Sequence, residues 1–145
     1  MFDDATFEDM KHPDRPLIMI GASDLARGVR FTFVQEYFDL ICSDLSSFPV
    51  ARAVTASSAV PVLFNPIVLE NHDGCHDSNL LQISTEPSVD DIQSRHTVAG
   101  LLSYGEKAER KYIHLVDGGI TDNLGVLSFS DLVQAAGGDE DFLDK

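Results

Sequence analysis

The chain has 145 residues, about the size of one domain. Its 24 acidic and 10 basic side chains give a net charge of −14, which repels phosphate backbones and argues against a nucleic-acid partner or electrostatic binding to anionic lipids. No stretch reaches the roughly 18 apolar residues of a membrane span. The acidic first residues lack the features of a signal peptide, and the sequence makes no prediction of the compartment.

The composition along the chain predicts three regions. These are a polar connector over residues 1–15, a structured domain over residues 16–136 and an acidic tail over residues 137–145. In the domain, the apolar run 17–20 predicts a buried strand of the kind found in parallel sheets. Residues 23–28 predict a turn, and the alternation over 29–33 predicts a second, half-exposed strand.

An apolar stripe at helical spacing predicts the next element. It runs from Val34 to Leu45 with acidic residues off the stripe. Cys42 lies on this stripe, which favours a buried structural thiol over a reactive one. A single disulfide with Cys75 stays open as an alternative, because two cysteines do not make a disulfide framework.

Small residues dominate the helix predicted over residues 49–58, so we expect it to pack closely against its neighbours. Ser46 and Ser47, followed by Pro49, are typical of a capped helix start. A short strand over residues 66–69 and a polar loop over 70–87 follow.

A capping-box pattern at residues 88–91 predicts a helix that continues to about Lys111. A β-branched apolar run over residues 112–116 then predicts a strand, and residues 121–123 predict a turn. Strands mixed with helices indicate an α/β architecture in which helices cover both faces of the sheet.

The most informative local pattern is the carboxylate at the end of that last predicted strand. Asp117 is followed by Gly118 and Gly119. Strand ends are where α/β proteins build their sites, and glycines permit a positive φ and close approach of another segment. An aspartate there can act as a general base beside a nucleophile. The alternative is that Asp117 only caps the turn.

Three segments in order resemble patatin-like phospholipases of the bacterial type. They are the strand pair around residues 20–31, the small-residue run 49–61 and the D-G-G motif with its flanks at 112–125. The resemblance covers about residues 15–127. It implies a three-layer α/β/α sandwich with a mixed or mostly parallel sheet. It also implies hydrolysis of lipid esters by a Ser–Asp dyad, without cofactor or metal, and with Asp117 as the base.

The G-x-S-x-G nucleophile elbow of that family is absent, since no two glycines of this sequence lie four positions apart. The sequence therefore predicts the C-terminal part of a patatin-like domain, a partial sandwich whose partner is the missing N-terminal half. Its expected substrate is a lipid ester, and peripheral membrane contact is compatible with that substrate. The alternative is a catalytically inactive half-domain that binds lipid or protein.

Other candidate residues carry weaker patterns. Ser57 and Ser58 lie within the small-residue helix, where their hydroxyls can bond back to the carbonyl four residues earlier. Residues 72–77 combine His, Cys and Asp, but a surface loop is favoured over a zinc site. Asp117 with Asp122 could hold Mg²⁺, although no phosphate-binding loop accompanies them. His96 and His114 are interpreted as structural.

Overall fold

A computed structural model describes residues 4–11, 16, 18–75 and 92–126, with residues 92–94 described by their backbone alone. The elements in chain order are α1 Phe7–Met10, β1 Gly21–Asp24, β2 Val29–Thr32, α2 Gln35–Leu40, α3 Val50–Ser57, β3 Ile67–Glu70, α4 Ile92–Leu102, the 3₁₀ helix Ser103–Gly105, β4 Tyr112–Asp117 and α5 Gly119–Asp122. The protein is therefore a mixed α/β chain. Within these residues no helix has the length and apolar character needed to cross a membrane.

The strands form one sheet in the order β2–β1–β4–β3, and each of the described pairings is antiparallel. The expectation of a parallel sheet is wrong for this part of the chain. The reason is local for β1 and β2, because a four-residue turn joins them and a parallel pair would need a much longer crossover. Strand β4 runs against both β1 and β3.

The first strand lies four residues later than predicted. The turn occupies residues 25–28, and Ser23 and Asp24, which we expected in that turn, belong to β1. Asp24 begins the turn, since its carbonyl accepts from the N–H of Gly28 at 2.8 Å and its side chain accepts from Ala26 N–H at 3.0 Å. Gly28 has a φ of 64°, a conformation that favours glycine.

The strand predicted over residues 29–33 is confirmed as β2, but its predicted half-exposure is wrong, because β2 is buried on both faces. Phe31 faces the core beside Ala22, its partner on β1. Arg30 and Thr32 point the other way and are also buried. The alternation of polar and apolar residues indicated an exposed face, whereas α5 packs over that face of β1 and β2.

Two of the predicted helices are shorter than expected. Helix α2 ends at Leu40, because Cys42 has a φ of 53° and cannot continue a right-handed helix. Helix α4 ends at Leu102 and passes into the 3₁₀ helix instead of reaching Lys111. The capping box predicted at residues 88–91 lies outside the described residues.

Helix α3 confirms the close packing expected of its small residues. Ala53 and Ala56 are fully buried, and the helix lies against β1, β3 and β4. Its start differs from the prediction, because Pro49 occupies the N-cap position and no side-chain hydroxyl caps the helix. Pro49 instead bridges to Thr6, beside helix α1. Phe7 of that helix is buried in the core, so part of the predicted connector packs against the domain.

Cys42 and Cys75 form a disulfide, so the alternative that the sequence left open is confirmed and the favoured interpretation of Cys42 as a buried thiol is wrong. The stripe analysis placed Cys42 on a regular helix, but the chain turns away from the helix axis at this residue. The bond joins the end of α2 to the segment after β3 and closes a loop with a sequence separation of 33.

A buried ion pair connects β1 to the segment before β4. Arg110 donates to the Asp24 carboxylate at 2.6 Å, and Asp24 is completely buried. Tyr104 also donates to Asp24, at 3.1 Å, and its ring lies beneath the Arg110 guanidinium. Burial raises the pKa of the Tyr104 hydroxyl well above its usual value, so this donor keeps its proton. Arg110 further donates to the Ser103 hydroxyl.

This ion pair predicts a large effect of Arg110→Met on stability. The substitution leaves Asp24 buried without its cation, and we expect the free energy of unfolding to fall by about 3–5 kcal/mol. Urea unfolding measures it. The matched control is Arg27→Met, which removes an exposed pair with Glu106 at 3.8 Å and should cost less than about 1 kcal/mol. Equal losses of unfolding free energy in both variants would contradict a special stabilising role of the buried pair.

The disulfide gives a second prediction. Reduction should lower the free energy of unfolding by about 2–4 kcal/mol, because a closed loop of this size restricts the unfolded chain. Urea unfolding with and without reductant measures the difference. Mass spectrometry after alkylation provides the control, and labelling of both cysteines in the unfolded chain without reductant would show that no bond had formed.

Candidate functional site

Asp117 stands at the last position of β4, and three contacts from two other segments hold its backbone. It pairs with Ala22 of β1. Its N–H donates to the carbonyl of Ala59, just after α3, at 3.0 Å. Its carbonyl accepts from the Ser23 hydroxyl at 2.8 Å. The position of the carboxylate is therefore determined by β1, β4 and the end of α3 together.

The Asp117 side chain is half-buried and is oriented by the turn that follows it. Oδ1 accepts a hydrogen bond from the N–H of Gly119 at 2.7 Å. Among the described residues, Oδ2 has no hydrogen-bond donor. The carboxylate is thus held through one oxygen, and the other can accept a proton or a hydrogen bond from a ligand. Turn capping, the alternative interpretation of Asp117, is confirmed as one role of this side chain, and it does not occupy the second oxygen.

Steric contacts, and not a positive φ, favour glycine at the two positions after Asp117. A Cβ at Gly118 would lie 2.7 Å from the carbonyl oxygen of Gly21, so β1 leaves no room for a side chain there. A Cβ at Gly119 would lie 2.9 Å from Asp117 Oδ1 and from Asn123 Oδ1. The first glycine permits the approach of β1, and the second leaves room for the oriented carboxylate.

A pair of hydroxyls ties the turn to the sheet. Ser23 and Thr121 lie 2.8 Å apart, and Ser23 is buried. Thr121 belongs to α5, where we expected only a turn. The Ser23 hydroxyl therefore links the carbonyl of Asp117 to α5, the helix that closes this side of the site.

Asp117 opens into a cleft of about 570 Å³. It is lined by both glycines of the motif and by residues from β1, β2, α3 and α5. The other side chains that matter for chemistry are Arg30, Ser57 and Asp122. Arg30 is buried, so a cation on β2 shares the cleft with the carboxylates of Asp117 and Asp122. A carboxylate in such a cleft can orient a hydroxyl group and take its proton.

The two serines of α3 differ in their surroundings. Ser57 is half-buried, lines the cleft, and accepts from Gly118 N–H through its carbonyl at 3.3 Å. Ser58 is exposed, and its hydroxyl donates to the carbonyl of Val54 at 2.9 Å, which is the back-bonding expected four residues earlier. Ser57 stands at the end of a helix and not on a strand-to-helix elbow.

The remaining candidates are not part of this cleft. His114 is exposed on the opposite face of β4, and His96 is exposed on α4. Cys75 is in the disulfide and is not available as a thiolate ligand. His76 and Asp77 lie outside the described residues, and within those residues no three His, Cys, Asp or Glu side chains could share a metal ion.

Sequence reasoning gave no site role to Ser23, Thr121 or Arg30. It placed Ser23 and Thr121 in turns and Arg30 on a half-exposed strand, whereas Ser23 and Arg30 are buried because of what packs over β1 and β2. For Ser23, the sequence did contain a signal. Asp24 and Gly28 are turn-forming residue types, and together they are typical of the two ends of a hairpin turn. That pattern would have placed Ser23 in the strand.

Comparisons of the chain with family models, curated proteins and solved structures found no match. The resemblance to patatin-like phospholipases therefore rests on the sequence motifs.

The glycine contacts predict unequal effects for two alanine substitutions. Gly118→Ala should lower the free energy of unfolding by about 1–3 kcal/mol, because the backbone of β1 must move. Gly119→Ala should cost less, because its neighbours are the ends of two side chains that can rotate. Urea unfolding of both variants tests this, and a larger loss for Gly119→Ala would contradict the proposed packing.

Proposed function

We propose that this chain carries the base of a Ser–Asp acyl hydrolase site that acts on lipid esters, with Asp117 as the base. In this proposal the serine nucleophile comes from the G-x-S-x-G elbow in the N-terminal half of a patatin-like domain, and this sequence contains no such elbow. The observation that supports it most is the Asp117 carboxylate, which lines a cleft and is held through Oδ1, while Oδ2 has no hydrogen-bond donor among the described residues.

The chemistry would follow from that geometry. Oδ2 of Asp117 accepts the proton of the serine hydroxyl while the serine oxygen attacks the ester carbonyl. The protonated aspartic acid then returns that proton to the leaving alcohol as the acyl–oxygen bond breaks. Water hydrolyses the acyl-enzyme by the same proton transfers in the second half of the reaction. The Gly119 N–H keeps the carboxylate oriented in both steps.

The fold proposed here is a three-layer sandwich completed by that second half. Helices α3 and α4 cover the core face of the sheet, whereas Tyr112, His114 and Val68 are exposed on the other face. A further helical layer over those side chains would complete the architecture that the resemblance implies.

A second candidate function is a lipid- or protein-binding half-domain without catalysis. The bond between Asp117 Oδ1 and Gly119 N–H favours it, because a turn cap needs an aspartate whether or not a nucleophile is present. The two candidates differ in whether Asp117 affects turnover.

A complementation assay tests the proposal. The chain is mixed with the separately expressed N-terminal half of a patatin-like protein, and hydrolysis of a short-chain p-nitrophenyl ester is followed. We expect activity only in the mixture. Asp117→Asn should reduce it on the order of 10³-fold or more, because the amide can still accept from Gly119 N–H but cannot take a proton.

Three results would contradict this assignment. Equal activity of the Asp117→Asn mixture would show that Asp117 is not the base. No activity from a mixture in which the chain is folded and bound to the other half would favour the binding half-domain. Hydrolysis by the chain alone that Ser57→Ala abolishes and Ser58→Ala does not would place the nucleophile in α3.

A further inference from the structure

The turn after α3 presents apolar side chains to solvent. We call residues 60–64 the apolar turn. Val62 is 102% exposed, Leu63 74% and Phe64 61%. Single exposed apolar residues are ordinary on soluble proteins, but three in succession at this exposure indicate contact with another apolar phase.

The apolar turn is held in place. The N–H groups of Leu63 and Phe64 both donate to the carbonyl of Val60, at 3.2 and 3.0 Å. Val62 has a φ of 75°, a conformation that a β-branched residue rarely adopts and that marks functional loops when the surroundings impose it. The residue before the turn, Ala59, is buried and bonds to the N–H of Asp117. The apolar turn is therefore anchored directly beside the candidate site.

Charge is absent from this part of the chain. Between Arg52 and Glu70 the sequence has no ionisable side chain, although the whole molecule carries a net charge of −14. Leu124, which lines the cleft, is also exposed. The cleft itself is lined by the charged side chains of Arg30, Asp117 and Asp122, so the neutral apolar surface is that of the turn anchored beside it.

We propose that the apolar turn inserts into a lipid surface of zwitterionic headgroups and brings the cleft of Asp117 to that surface. This proposal rests on the proposed function, because the hydrolysis of lipid esters is the reason for the chain to contact a lipid surface. A zwitterionic surface fits the charge, because it accepts a neutral apolar loop and does not repel an acidic protein as anionic lipids do. The shape of the apolar turn also fits a lipid surface, since a fluid lipid layer can surround a protruding turn on all sides.

Tryptophan fluorescence can test the contact, because the natural chain contains no tryptophan. In Phe64→Trp, the emission maximum should move to shorter wavelength when phosphatidylcholine vesicles are added. The matched control is Leu25→Trp, an apolar position that is 53% exposed in the turn at the far end of β1. Its emission should not move.

Vesicle sedimentation measures the affinity of otherwise unchanged chains. Leu63→Asp should lower the partition coefficient about tenfold or more, since it places a charge in the inserted turn. Leu25→Asp should change it by less than about twofold. Both side chains are exposed, so both variants should fold, which circular dichroism checks.

Four results would overturn the proposal. Two concern the emission maximum with vesicles: no shift for Phe64→Trp, or equal shifts in both tryptophan variants. The third is binding to phosphatidylglycerol vesicles but not to phosphatidylcholine vesicles. The fourth is a shift of the emission maximum that depends on protein concentration in the absence of vesicles. The last would identify a second copy of this chain as the occupant. Vesicle binding needs no nucleophile, so it can succeed where complementation fails, and the two proposals are tested separately.

Discussion

The buried pair of Asp24 and Arg110 is the interaction on which the arrangement of the sheet depends. Asp24 is opposite Leu115 in the pairing of β1 with β4, and two residues earlier Ala22 is opposite Asp117. A shift of one residue would turn the Asp24 carboxylate to the other face of the sheet and leave a buried charge without its partner. The ion pair therefore selects the register, and the register places Ala22 beside the candidate base.

The candidate site combines structural and chemical roles in the same few groups. One oxygen of Asp117 completes the turn through Gly119 N–H, while the second has no hydrogen-bond donor among the described residues of the cleft. The hydroxyls of Ser23 and Thr121 connect the backbone of the aspartate to α5. Because the same contacts stabilise the turn and orient the carboxylate, the D-G-G geometry is compatible with a base and with a cap. The two roles differ in their effect on turnover.

The distribution of charge complements this geometry. The acidic residues give the molecule a strong negative charge, but the segment from α3 to β3 carries none between Arg52 and Glu70. That segment contains both Ser57, which lines the cleft, and the apolar turn. In the proposed contact, the neutral apolar turn meets the lipid surface, while the net negative charge of the molecule disfavours anionic surfaces.

The sequence by itself determined the helix of small residues and the strand that ends at Asp117, because periodicity and residue size act locally. Tertiary structure decided the antiparallel pairing, the disulfide at Cys42 and the burial of polar residues such as Arg30. These depend on which segments meet, and segments distant in the chain meet only once the core has formed. Burial in particular depends on what covers a strand, so the alternating pattern of β2 could not reveal that both of its faces are enclosed.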